Sequence, residues 1–315
     1  YRGLVGSEMC IRDRSKIVFL MIRFWSSIKL LLEILNYKLL KKLPMKQAVI
    51  SCLHANLPAV EAVLKDIELQ DITNITCLGD LVGYGPQPNE VIELIRDKKI
   101  ATCQGCWDED VVDGLDACDC SYPSQLAEKR GHIAHQWTTD KLTKENKDFL
   151  AKLPYSIRKE KCLFVHGSPN SQHEYLLPDM DAFAALERVE TARAETLFCG
   201  HTHQPYIREL ANGSIAVKVK NADSKDIQEK EMDLPMRRIV NAGSVGEPRH
   251  GGTKATYVVY DENTNEVKIR EVEYDVELTC KAIIKAGLPQ IFAWRLRNGF
   301  EFAEQAEDAS HVCER

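Results

Sequence analysis

The chain has 315 residues, 44% of them hydrophobic, and a formal net charge of −6. That length holds one large domain or two small ones with a sizeable core. The negative balance, with basic residues scattered apart from a short amino-terminal cluster, argues against a nucleic-acid polymer as partner. Eleven cysteines are too sparse for a disulfide scaffold. Several, such as Cys77, Cys162 and Cys199, fall inside apolar runs, so they read as small core residues in a reducing, cytoplasmic setting.

Residues 1–44 read as a non-native or upstream leader. The segment Val5 to Arg14 has no structural period and resembles a translated adapter. Residues 16–43 are apolar, but Arg23, Lys29, Glu33 and Lys38 interrupt them. No uncharged run is long enough for a membrane span, and an interfacial amphipathic helix is the other reading of this stretch. The first convincing strand follows Met45.

Gln47 to Ser51 forms a short apolar run. After Leu57-Pro58, the apolar residues Val60, Val63, Leu64 and Ile67 recur at helical spacing. Asn56 suits the helix N-cap and Pro58 the first turn. The unit repeats: Ile75 to Leu78 is a strand ending in Gly79-Asp80, and Asn89 opens a helix with Val91, Ile92 and Ile95. A third strand, Ile100 to Cys103, runs into Gln104 to Glu109. Such alternation predicts a mainly parallel sheet covered by helices.

Residues 111–155 read as a helical cap or insertion. Two further strands end in chemistry: Cys162 to Val165 in His166-Gly167, and Thr196 to Cys199 in Gly200-His201-Thr202-His203. Beyond them, Ile215 to Val217, Arg238 to Asn241, Thr256 to Tyr260 and the run through Val267 and Ile269 suggest a second, mostly antiparallel sheet. Residues 218–232 read as a charged loop. Residues 276–315 read as a C-terminal helix and polar tail, leaving 45–275 as the main domain.

In an open α/β sheet, ligands gather at the carboxyl ends of strands. Collected there are Cys52, His54, Asp80, Cys106, His166, His201 and His203, donors enough for two metal ions. Asp80 is the one carboxylate placed to bridge them. Cys103 and Cys106 with Cys118 and Cys120 present a competing structural zinc reading. Against it, Cys103 sits within a strand and faces the core. A further alternative is redox pairing of Cys52 with Cys106. His132, His135 and His173 fall in polar segments and are not expected as ligands, while His250 lies in a loop within reach of the pocket.

The blocks Ser51-Cys52-Leu53-His54-Ala55-Asn56, Gly79 to Pro86, Gly105-Cys106-Trp107-Asp108-Glu109, His166-Gly167 and Gly200-His201-Thr202-His203 resemble, in order, the five motifs of calcineurin-like metallophosphoesterases. The resemblance spans Met45 to Tyr260. It implies a two-sheet α/β sandwich flanked by helices, and two divalent ions, with zinc, iron or manganese the candidates. One ion would be held by Cys52, His54, Asp80 and His203. The other would be held by Asp80, Cys106, His166 and His201. The implied activity is hydrolysis of a phosphodiester or nucleotide-type small phosphate ester through a metal-bridging hydroxide, with Asp80, His166 and His201 as catalytic residues.

Two departures bear on that activity. The family pattern has aspartate at the Cys52 position and asparagine at Cys106. Sulfur favours zinc or iron over magnesium or manganese, and thiolate donation lowers Lewis acidity. A catalytically weak or inactive metal- or nucleotide-binding protein is therefore the alternative. Trp107 stands where many members carry a histidine acid, which shifts the expectation from protein phosphatase toward phosphodiesterase. Trp107 either stacks on a base or packs under its loop. Ser244 and Arg249 are the remaining candidates for substrate contact, and a homo-oligomer is compatible with the sequence.

Overall fold

The computed structural model describes residues 46–114, 122, 124–210 and 237–301, together with Phe24, Trp25, Ile28 and Lys29. The expected leader, Cys118 and Cys120, the strand at 215–217, the loop at 218–232 and most of the polar tail lie outside the described residues. The described residues of 46–260 and 266–301 form one compact unit.

Among the described residues of the compact unit, the strands are β1 (Lys46–Ile50), β2 (Asn74–Cys77), β3 (Ala101–Thr102), β4 (Ser156–Lys159), β5 (Cys162–Val165), β6 (Thr196–Cys199), β7 (Tyr206–Leu210), β8 (Arg237–Asn241), β9 (Ala255–Asp261) and β10 (Glu266–Val272). They form two five-stranded sheets, ordered β10-β9-β1-β2-β3 and β4-β5-β6-β8-β7. β1, β2 and β3 pair in parallel, as do β5, β6 and β8. β4 and β7 are antiparallel edges.

The helices are α1 (Leu57–Leu69), α2 (Pro88–Asp97), α3 (Cys106–Asp113), α4 (Gln125–Lys141), α5 (Lys144–Leu150), α6 (Ala182–Thr191), α7 (Val276–Lys285) and α8 (Gln290–Asn298). No described helix is long and apolar enough to cross a membrane.

The layers follow from strand periodicity, since successive side chains point to opposite faces. On β1, Ala48 and Ile50 join the cluster packed beneath α1, α2, α7 and α8, whereas Val49 faces the other sheet. On β5 and β6, Phe164 and Phe198 enter the space between the sheets and stack with centroids 4.8 Å apart. Leu163, Val165, Leu197 and Cys199 instead pack toward α6. Cys77, Cys162 and Cys199 are buried in these clusters as small apolar residues, as their sequence positions suggested.

One expectation is corrected. The carboxyl-terminal strands do not build a separate antiparallel sheet: β8 inserts parallel beside β6 with β7 at its edge, and β9 pairs beside β1. Strand composition reports burial, and it is silent about which sheet a strand joins. Asn89 lies in the first turn of α2, which starts at Pro88 with Gln87 as its N-cap. Its side-chain amide ties α4 to α5, donating to the Lys141 carbonyl and accepting from the Thr143 amide. The segment read as a helical cap does contain α4 and α5.

Candidate metal centre

Five strand ends converge at one edge of the two sheets. The loop after β1 is zipped to the loop after β2: the Cys52 amide donates to the Gly79 carbonyl (3.0 Å), and the amides of Leu53 and His54 both donate to that of Asp80 (2.8 and 2.9 Å). From the other side, the amides of Val245 and Gly246, beyond β8, donate to the carbonyls of Ser51 and Cys52. The Gly200 amide donates to the His166 carbonyl (2.8 Å), so the ends of β5 and β6 travel together.

Close approach is enforced where it matters. A Cβ at Gly105 would collide with the amide nitrogen and Oδ1 of Asp80, and a Cβ at Gly79 would strike the Gly105 backbone. Cys52, His54, Asp80, His201 and His203 all adopt left-handed backbone conformations, with φ between 45° and 63°. For residues with a Cβ this region costs on the order of 1–3 kcal/mol each, and such strain concentrates at functional sites. The bonded loops around them hold the strain in place.

The side chains form two groups of four. Ligand atoms of Cys52, His54, Asp80 and His203 lie within 4.8 Å of one another, as do those of Asp80, Cys106, His166 and His201. All seven residues are buried, and Asp80 belongs to both groups. Its Oδ2 lies 3.6 Å from His54 Nε2 and 3.3 Å from His166 Nε2. Its Oδ1 accepts from the Trp107 amide at 3.0 Å. Cys106 Sγ is 3.6 Å from both His166 Nε2 and His201 Nδ1. Cys52 Sγ accepts from the His201 amide at 3.3 Å and touches Ser51 Oγ at 3.2 Å.

The imidazole tautomers are set from behind. Nδ1 of His54, His166 and His203 faces the carbonyls of Val82 (3.0 Å), Leu78 (2.9 Å) and Glu247 (2.6 Å). A carbonyl only accepts, so each Nδ1 carries the proton and each Nε2 presents a lone pair to the cluster. His201 is reversed: Nε2 donates to the His173 carbonyl at 3.3 Å, and Nδ1 faces inward.

Lone pairs therefore meet at His54 Nε2–His203 Nε2 (3.0 Å) and His166 Nε2–His201 Nδ1 (3.1 Å). Burial, only partly offset by Asp80 at His54 and reinforced by Arg249 at His203, lowers both pKa values and favours neutral rings. Burial and neighbouring His166 take His201 to about 3. Burial opposes protonation of His166, but the Asp80 carboxylate raises its pKa overall. Neutral, oriented lone pairs around a carboxylate and two sulfurs are a donor set suited to divalent ions.

Electrostatics place cost on the thiols. Burial, then the Asp80 charge, pushes both Cys52 and Cys106 well above the ordinary thiol range. Burial opposes ionisation of Asp80, but His166 leads the interactions that pull its pKa below the usual carboxylate value. Burial and Asp80 raise Asp108 to about 7. Asp108 accepts from the amides of Leu81 (2.9 Å) and Gly105 (3.0 Å), pinning the loops that bear Asp80 and Cys106.

The remaining candidates fall elsewhere. Trp107 is 1% exposed, with its indole against Gly83 and its ring 4.6 Å from Tyr84. That placement supports packing under the loop over stacking on a base. Ser244 is buried, and its hydroxyl donates to the Cys52 carbonyl (2.9 Å) and accepts from the Glu247 amide (2.8 Å), a staple between loops. Arg249 lies beside the centre but is ion-paired with Glu247 and Glu301.

Cys103 faces the space between the sheets and donates to the Phe164 carbonyl at 3.3 Å, away from the ligand groups. His250 lies 3.9 Å from Glu271. His173 sits 3.5 Å from Glu109, and those two with Asp110 form a third, smaller group. Sequence reading missed Glu247, Arg295, Tyr84 and Tyr175. The signal for Glu247 was its place in Gly246-Glu247-Pro248-Arg249, directly after a strand end. Tyr175, whose ring lies 4.0 Å from that of His201, carries no sequence signal.

Comparison with known proteins agrees with the geometry. An uncharacterised protein of Methanocaldococcus jannaschii is 35% identical over 257 residues, 79% of this chain and 96% of its own length. A metallophosphoesterase from Sphaerobacter thermophilus matches with a TM-score of 0.63 at 29% identity, over 81% of this chain and all of its own. A hypothetical protein from Pyrococcus horikoshii has the same fold, with a TM-score of 0.64 at 24% identity, covering 82% and 99%. The model of the calcineurin-like phosphoesterase superfamily domain matches residues 45–265, and the chain belongs to that superfamily.

Proposed function

We propose that the chain hydrolyses a phosphodiester or nucleotide-type substrate at a site holding two divalent ions. The observation that carries this reading is the pair of four-residue donor groups sharing Asp80. Cys52, His54, Asp80 and His203 would hold one ion. Asp80, Cys106, His166 and His201 would hold the other. When bound, such ions supply Lewis acidity, activating water and neutralising phosphoryl charge.

The chain's own residues prepare this chemistry. The Trp107 amide holds Asp80 Oδ1, and backbone carbonyls hold the tautomers of His54, His166 and His203. The donors therefore need little reorganisation, which is the basis of electrostatic preorganisation. His166 and His201 set nitrogen atoms in the same donor group as the shared carboxylate. At position 107 the indole has no titratable proton to give a leaving group. This supports esters whose leaving group departs without protonation, phosphodiesters ahead of phosphoprotein.

Sulfur in each group supports zinc or iron, with manganese third. The seven cysteines among the described residues are buried and none is in a disulfide, which supports a reducing, cytoplasmic setting. The partner is a small phosphate ester and not a nucleic-acid polymer.

The test is hydrolysis by full-length protein loaded with zinc, iron or manganese. Bis(p-nitrophenyl) phosphate is expected to turn over faster than p-nitrophenyl phosphate, with about two ions per chain. Absence of turnover of both substrates with every ion would overturn the reading. The second reading, a binding protein with little or no catalysis, is favoured by the cost of ionising Cys52 and Cys106. It expects the Cys52→Asp, Cys106→Asn double variant to gain activity that the parent lacks.

A further inference from the structure

Beside the ligand group of Cys52, His54, Asp80 and His203 lies a buried charge assembly that the metal reading leaves unused. Arg249, from the loop after β8, and Arg295, from α8, have side chains only 8% and 6% exposed. Their guanidinium carbons each sit 5.8 Å from the centroid of the Tyr84 ring. Tyr84 in turn lies 4.9 Å, ring to ring, from the ligand candidate His54. The Arg249 charge also reaches Cys52 and His203, countering the burial that raises Cys52 and adding to the burial that lowers His203.

The counter-charges are of two kinds. Glu247 is buried, accepts from Arg249 Nη2 at 2.6 Å and Arg295 Nη1 at 3.3 Å, and so neutralises one of the two arginines. The second carboxylate is Glu301, two residues beyond Gly299, the left-handed cap of α8. Glu301 reaches Arg249 Nη1 at 3.1 Å and Arg295 Nη2 at 3.6 Å. Its side chain is 38% exposed, so it moves readily into water, whereas an arginine that left would strand the buried Glu247 carboxylate with less pairing. Arg295 also keeps a buried Nε–H with no hydrogen-bond partner among the described residues, a donor beyond what Glu247 and Glu301 use.

Two fixed guanidinium groups with one fixed carboxylate carry one net positive charge, directed at the position Glu301 fills. Planar guanidinium donors match phosphate oxygens as well as carboxylate ones. We propose that Arg249 and Arg295 form an anion subsite for a second phosphate of the substrate, and that Glu301 holds that place until the phosphate displaces it. The proposal rests on the phosphoesterase reading for its biological meaning, but the subsite itself needs no metal.

That independence sets the experiment. Binding of inorganic pyrophosphate to the full chain is measured by calorimetry in excess EDTA, where the ligand groups hold no ion. Glu301→Gln is expected to tighten binding about three- to tenfold by removing the competing charge. Arg295→Gln is expected to weaken it by at least about tenfold, with Arg295→Lys retaining part of the affinity. Thermal melts of each variant identify unfolding, and Glu301→Gln, at a partly exposed position, serves as the variant that folds. Absence of pyrophosphate binding in both parent and Glu301→Gln would overturn the subsite. So would binding that neither Glu301→Gln nor Arg295→Gln changes. Separately, loss of all turnover by the metal-loaded protein with pyrophosphate binding intact would overturn the phosphoesterase reading and leave the subsite standing.

Discussion

At the residue scale, Asp80 is the position on which both donor groups depend. It is buried, sits in a left-handed conformation, and has one oxygen held by the Trp107 amide while the other faces His54 and His166. Asp80→Asn removes the shared negative charge and replaces an acceptor with a donor against neutral imidazole lone pairs. Activity is expected to fall by more than about 100-fold, and bound metal to drop toward zero, measured by elemental analysis. Retention of both ions in the variant would place the metals elsewhere. The cysteines are chemically distinct from their neighbours at this scale. Cys77, Cys162 and Cys199 are packing residues, whereas Cys52 and Cys106 have their sulfurs among nitrogen and oxygen donors.

At the scale of elements, the site depends on how α1 is anchored. Asn56 caps α1, with Oδ1 accepting from the Ala59 amide at 3.3 Å, and also accepts from Thr279 on α7 at 2.8 Å. Its Nδ2 donates to the Gly246 carbonyl at 2.8 Å, in the loop that leads to Glu247. One side chain thus joins the first strand–helix turn, the loop after β8 and a carboxyl-terminal helix. Asn56→Ala is expected to cost about 2–4 kcal/mol, the loss of a cap plus buried groups left unpaired. Chemical denaturation measures it, and a cost under about 1 kcal/mol would mean the three elements are held by other contacts.

A second tie works at the helix–sheet junction. Asp66 on α1 receives two hydrogen bonds from Arg270 on β10, both 2.9 Å, and one from Tyr257 at 2.6 Å. The bonds from Arg270, opposed by burial, hold the Asp66 pKa below its ordinary value. A carboxylate depressed in the folded state stabilises the fold above its unfolded pKa and loses that contribution as pH falls through the folded value. Asp66→Asn is therefore expected to lower the melting temperature at pH 7. The gap from the parent should close below about pH 4. A gap unchanged down to pH 3 would show that the ion pair is not its origin.

At the scale of the whole molecule, ions held by the two donor groups would bind the folded chain and stabilise it by mass action. At free metal about 100 times the dissociation constant, the gain is about 2.7 kcal/mol. Chelation is expected to lower the melting temperature of the loaded protein. The Cys52→Ser, Cys106→Ser double variant should show a smaller drop with zinc. An identical melting temperature with and without chelator would argue that the donors hold no ion when folded.

Much of this was legible in the chain itself. Five strand ends with chemistry, the α1 amphipathic period and the Asn56 cap follow from local rules: side chains alternate on strands, recur every three to four residues on helices, and donors mark loop starts. Those rules act within a dozen residues, so they located Cys52, His54, Asp80, Cys106, His166, His201 and His203. They left open how these residues would meet. Which sheet β8 and β9 would join, that Trp107 and Ser244 would be buried, and that Arg249, Arg295, Glu247 and Glu301 would gather around Tyr84 are long-range outcomes. They come from parallel pairing and from helices packed across the sheet, contacts between residues far apart in sequence. Local pattern therefore determined the donor types and their strand-end positions. Only the tertiary structure decided the tautomers and the buried charge pair beside Asp80, because those depend on carbonyls and counter-ions supplied by other elements.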